Sequence, residues 1–104
     1  MVEVEINGEK RCLTDRYETW VSQRMRKLRL QGQEIWVRIH VGGDLNFLLP
    51  IGPCPAMGVG SGELSPRQEN LCNFFRRSGI KDRPIQPGTI ISFLKDLKRF
   101  LRGL

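Results

Sequence analysis

Arg24, Arg26, Lys27 and Arg29 fall within six residues of one another, with no acid among them. Lys95, Lys98, Arg99 and Arg102 form a second basic group near the other end of the chain. Such side chains make charge-assisted contacts to phosphate or carboxylate oxygens. Arginine suits phosphate best, because its planar fork offers paired donors. Six of the eight cations between Lys10 and Arg38 are arginines. A plain surface helix usually mixes signs, since like charges one turn apart repel mildly. A solvated helix face is the ordinary reading of such a run, and the unmixed charge on residues 24–29 weakens it in favour of phosphate contact.

Trp36, Arg38 and His40 alternate with Ile35, Val37, Ile39 and Val41. An aromatic and a cation on one exposed strand face can stack on bases and touch sugar or phosphate. The competing expectation, and the favoured one, is that C-terminal helices cover this face and Trp36 is core. Trp36 and Arg38 join the candidate site on the condition that the face is open.

Other chemistry is poorly supported by the residue pattern. His40 is the lone histidine, with no nucleophile beside it in a motif. Cys12, Cys54 and Cys72 are odd in number and widely spaced, which fits neither a disulfide framework nor a zinc site. They read as ordinary thiols, with Cys54 between Pro53 and Pro55 as a candidate exposed one. The run Gly58-Val59-Gly60-Ser61-Gly62 lacks the Gly-Lys-Ser/Thr ending of a P-loop and the third glycine of a dinucleotide fingerprint. No cofactor and no metal are expected.

The elements that must hold these residues follow from periodicity. Residues 2–6 alternate apolar and acidic side chains, Asn7-Gly8 favours a type I′ turn, and residues 9–13 return as a second strand. Tyr17, Trp20, Val21, Met25 and Leu28 recur at helical spacing, with Arg24 at the edge of that stripe. Thr14 or Asp15 is the expected N-cap, and Gly32 the stop. Residues 34–41 and 44–49 form a second hairpin, which Pro50 closes.

Residues 51–63 are rich in glycine and proline and read as a flexible loop. Ser65-Pro66-Arg67-Gln68 then opens a helix with a capping box and a proline at the first helical position. Gly79 ends that helix, and residues 81–88 are expected to be extended. Thr89 is the expected cap of a last helix, whose apolar stripe runs from Ile90 through Phe93, Leu94 and Leu97 to Leu104.

A chain of 104 residues with 39% hydrophobic and 27% charged content is expected to fold as one domain, residues 1–104. The expected fold class is α+β, in the order β-β-α-β-β-α-α. An antiparallel sheet of two hairpins would carry a central helix, and two C-terminal helices would share its layer or form a satellite pair. No run of eighteen apolar residues is present, and the acidic start does not resemble a signal peptide, so the chain reads as intracellular.

The formal net charge of +6 points to a polyanionic partner. The leading expectation is non-catalytic binding of nucleic acid, RNA or DNA, through Arg24, Arg26, Lys27 and Arg29, with Lys95, Lys98, Arg99 and Arg102 as a second patch. The main alternative is a protein-interaction module or small subunit docking on an acidic protein. An anionic membrane surface and enzyme activity rank behind both, and a homo-oligomer is compatible with either leading reading.

Overall fold

The chain has an α+β fold in the computed structural model, which describes residues 2–13, 16–42, 45–49, 52–55 and 65–103. Strands β1 (Glu3–Ile6) and β2 (Glu9–Cys12) are followed by helix α1 (Tyr17–Leu30). Strands β3 (Val37–Gly42), β4 (Leu45–Leu49) and β5 (Gly52–Pro55) come next. Helix α2 (Pro66–Ser78), a single 3₁₀ turn (Ile80–Asp82) and helix α3 (Pro87–Arg102) complete the order. The five strands form one antiparallel sheet in the order β2-β1-β3-β4-β5.

The β1–β2 turn closes as its residue types dictate. Asn7 has φ 48° and Gly8 φ 92°, both in the positive range that a type I′ turn needs. Asn7 also does something its turn role does not require. Its Nδ2 donates to the Glu34 carbonyl at 2.7 Å, and its Oδ1 accepts from the Trp36 N–H at 2.7 Å. The chain entering β3 is thereby tied to the first hairpin.

Residues 34–36, expected to open the second hairpin, precede β3, and three further expectations about boundaries change. The Gly- and Pro-rich segment does not start as a loop: Gly52–Pro55 pairs with β4, Phe47 opposite Pro53 and Leu45 opposite Pro55. An edge strand tolerates proline because one row of its N–H groups has no ladder partner to lose. Residues 51 and 56–63 of the expected loop lie outside the described residues, as do Thr14, Asp15 and Pro50. The second change is in α3, which starts at Pro87 with Gln86 in the capping position, so Thr89 is inside the first turn and not its cap. A proline at the first helical position is pre-set in φ and lacks only an N–H that would be unpaired anyway. The third is that Lys81 and Asp82, expected to be extended, belong to the 3₁₀ turn.

Helix α2 begins and ends as expected. Ser65 Oγ accepts from the Gln68 N–H, and Gln68 Oε1 accepts from the Ser65 N–H at 2.9 Å. Gly79 takes the left-handed conformation at the other end, φ 66°. In α1, Arg16 holds the capping position without a side-chain cap bond.

All three helices lie on one face of the sheet. Val4, Ile6, Val37, Ile39, Val41, Leu45, Phe47 and Leu49 are buried there. They meet Trp20, Val21, Met25 and Leu28 of α1, Leu71 and Phe75 of α2, and Ile90, Phe93, Leu94 and Leu97 of α3, in one core. Phe47 stacks on Phe75 with centroids 4.7 Å apart, and Phe93 meets Phe75 edge-on at 5.8 Å. The C-terminal helices are therefore not a satellite pair. No helix among the described residues is long and apolar enough to cross a membrane.

This packing overturns the core reading of Trp36. Strand side chains alternate, so once Val37, Ile39 and Val41 face the helices, Arg38 and His40 face the other way, and Trp36, just before β3, borders the same groove as Arg38. The helices pack on the opposite face, and Trp36 is 38% exposed.

Candidate functional site

Charge is segregated between the two layers. Residues 16–30 and 65–103, which hold the helices, carry fourteen of the 17 Lys and Arg residues. They carry only four of the 11 Asp and Glu residues: Glu18, Glu69, Asp82 and Asp96. The described strands and their connections are nearly balanced, with Lys10, Arg11 and Arg38 against Glu3, Glu5, Glu9 and Glu34.

The uncovered sheet face follows from register. One cross-strand row reads Lys10, Glu5, Arg38, Leu48, and the next reads Cys12, Glu3, His40, Asn46. Two glutamates thus offset two cations, and His40 Nε2 sits 3.4 Å from Glu5 Oε1. Trp36, Arg38 and Leu48 border a shallow groove of about 300 Å³ with Glu5, Asn7 and Gly8. This face has an aromatic and a cation, as the strand pattern suggested, but no net charge to draw in a polyanion.

The basic helical layer has a concavity where α3 meets the start of α1. Lys95, Lys98, Arg99 and Arg102 line a groove of about 320 Å³ with Tyr17 and Glu18. Lys95 Nζ lies 3.4 Å from Glu18 Oε1, and Lys98 Nζ sits 5.5 Å from the centre of the Tyr17 ring. Arg99 and Arg102 are exposed and have no ion-pair partner among the described residues. Burial, with a smaller contribution from Glu18, raises the Tyr17 phenol above its ordinary pKa. The ring closes the floor of the groove and is 6% exposed, so it is not a stacking platform.

The four cations of α1 do not act together. Arg24 is turned inward, its side chain 21% exposed, with Nε 3.2 Å from Glu9 Oε2. Its guanidinium also donates to the Ile6 and Asn7 carbonyls at 3.4 Å. This is a structural clasp between α1 and the first hairpin. At about 100° per residue, Arg26 points straight away from the buried stripe, and Arg29 falls on the side of Glu18. Lys27 falls on the opposite flank. Arg29 stands about 16 Å along the helix from Glu18 at the α-helical rise. Arg26 and Arg29 thus extend the basic surface that the α1–α3 groove begins.

Sequence reasoning missed the cations of α2. Arg76 and Arg77 end that helix, and both are exposed. With Asn70, Asn73 and Phe100 they line a groove of about 510 Å³ on the other flank of α3. Their position in the last turn suits the helix dipole, which offers a local reason for them and hides their role as groove walls.

No protein-family model, no curated protein and no solved structure matches this chain. Among the described residues, no group of three His, Cys, Asp or Glu is placed to hold a metal ion. What the helical layer offers is a field: guanidinium and ammonium groups on three helices, with few acids between them.

Proposed function

We propose that this protein is a non-catalytic nucleic-acid-binding protein that uses its helical layer. The observation that carries the reading is the convergence of Lys95, Lys98, Arg99 and Arg102 on one groove, within a layer holding fourteen cations and four acids. Clustered cations on one face are the footprint that a phosphate backbone requires. Arg26 and Arg29 extend the surface along α1. Arg24 is left out because Glu9 and two carbonyls already occupy it. Trp36 and Arg38 are left out because they lie on the opposite, charge-balanced face.

Fluorescence anisotropy with labelled single-stranded RNA, single-stranded DNA and duplex DNA, over a salt series, tests the proposal. Binding is expected to weaken steeply between about 50 and 200 mM salt, because each phosphate contact releases counterions. The double variant R99E/R102E is expected to lose at least about tenfold in affinity and to show a shallower salt slope. Absence of binding to all three probes at low salt would sink the proposal. An acidic protein would then be the partner class to pursue.

A further inference from the structure

Helix α3 has a groove on each flank, and the two differ in chemistry. Arg99 lines the groove with α1, and its neighbour Phe100 lines the groove with α2. The α1–α3 side is a wall of charge. The α2–α3 groove is lined by one aromatic ring, the carboxamides of Asn70 and Asn73, and the guanidiniums of Arg76 and Arg77, with no acid, while a separate groove between the same helices holds Phe74, Phe93 and Asp96. None of these four polar side chains has a hydrogen-bond or ion-pair partner among the described residues.

The ring is held in place. Phe100 stacks on Phe74 with centroids 4.6 Å apart and planes 20° from parallel, and Phe74 rests on Phe93 at 5.8 Å. Phe100 is only partly buried, so the portion that Phe74 does not cover faces the groove. A carboxamide carries a donor and an acceptor side by side, the pattern that matches the edge of a base. An aromatic face supplies stacking that any base accepts.

We propose that the α2–α3 groove receives an unpaired base of single-stranded nucleic acid. The base stacks against Phe100, Asn70 and Asn73 meet its edge, and Arg76 and Arg77 hold the flanking phosphates. The strand continues over α3, whose diameter with side chains is about 10–12 Å, to Arg99 and Arg102. A duplex keeps its bases stacked and paired and offers none to this groove. The inference rests on the nucleic-acid reading of the helical layer and adds to it a preference for single strands.

Anisotropy with labelled oligouridylate and oligothymidylate, a duplex of equal length, and inorganic polyphosphate as unlabelled competitor provides the test. The expected result is tighter binding of the single strands than of the duplex, and weak competition by polyphosphate, which has charge but no bases. Phe100→Leu keeps an apolar side chain against Phe74 and removes the ring. It is expected to lose about tenfold in single-strand affinity, as loss of one stacked base does, and to bind duplex as before. Asn73→Ala changes an exposed helical position without touching the core and is expected to weaken single-strand binding severalfold. Upfield shifts of the base protons in the wild-type complex report stacking directly, should Phe100→Leu fail to fold. Equal affinity for single strand and duplex overturns the inference and leaves the nucleic-acid reading standing. Unchanged single-strand affinity in Asn73→Ala, with no base-proton shift, does the same. Failure of every nucleic-acid probe to bind overturns both.

Discussion

Arg24 and Arg29 share a helix and a charge but have separable roles. Arg24 is clasped by Glu9 and the turn carbonyls, whereas Arg29 is exposed. Hydrogen bonds involving a charged group are worth more than neutral ones when half-buried. Arg24→Ala is therefore expected to lower unfolding free energy by about 1–2 kcal/mol, and Arg29→Ala to leave it within about 0.5 kcal/mol, in urea titrations. Binding should respond the other way, falling with Arg29→Glu. Titration of buried groups adds a pH signature. Burial raises the Cys72 thiol, an effect that Arg76 opposes and Glu69 reinforces, and burial also raises the Tyr17 phenol. The unfolded chain releases these protons near the ordinary values, 9.0 and 10.0, while the folded chain holds them longer. The unfolded state then binds fewer protons, so the stability that these two groups contribute is present below pH 9.0 and is lost as pH rises above it. Thermal melts from neutral to alkaline pH check this. Cys72→Ala is expected to flatten the part of the decline that begins near 9.0.

At the scale of elements, the first hairpin turn does two jobs. Asn7 and Gly8 supply the positive φ angles, and the Asn7 carboxamide also bonds the approach to β3. Asn7→Gly keeps the turn geometry and removes both side-chain bonds. It is expected to cost about 1–3 kcal/mol in chemical denaturation, at about 0.5–1.5 kcal/mol per lost bond. An unchanged midpoint would show that the turn conformation alone matters. Helix α3 likewise has two faces. Ile90, Phe93, Leu94 and Leu97 are at most 4% exposed, so deleting the helix would remove part of the core. Truncation cannot separate binding from folding here, and charge reversal at Arg99 and Arg102 is the usable alternative.

For the whole molecule, the separation of charge between layers sets which side a polyanion meets. The helical layer is strongly basic, and the open sheet face is balanced by Glu3 and Glu5 against Lys10 and Arg38. Arg38→Glu and Trp36→Ala are expected to leave nucleic-acid affinity and its salt slope unchanged. R99E/R102E should reduce that slope by roughly one to two, since each phosphate contact contributes about 0.7–0.9. A loss of affinity in Arg38→Glu as large as in R99E/R102E would move the binding surface to the sheet. An attractive field of this kind acts over roughly a Debye length, about 8–10 Å at ordinary ionic strength, so the two faces remain distinct.

Much of the fold was legible in the chain because its causes are local. Alternation in residues 3–6 and 37–41, Asn7-Gly8, the helical stripe of α1, and the Ser65–Gln68 capping box each involve residues a few positions apart. The cations of the candidate surface were equally visible as residue types. Other features depended on distant partners, which spacing does not encode. The single sheet face that accepts all three helices left Trp36 exposed. The Glu9 carboxylate and the turn carbonyls withdrew Arg24 from the surface. Packing of α3 against the start of α1 gathered Lys95, Lys98, Arg99 and Arg102 about Tyr17, and packing against α2 set Phe100 beside Asn70 and Asn73. A side chain's type and period follow from its own segment, whereas its neighbours across a core follow only from how the apolar faces of all segments close on one another.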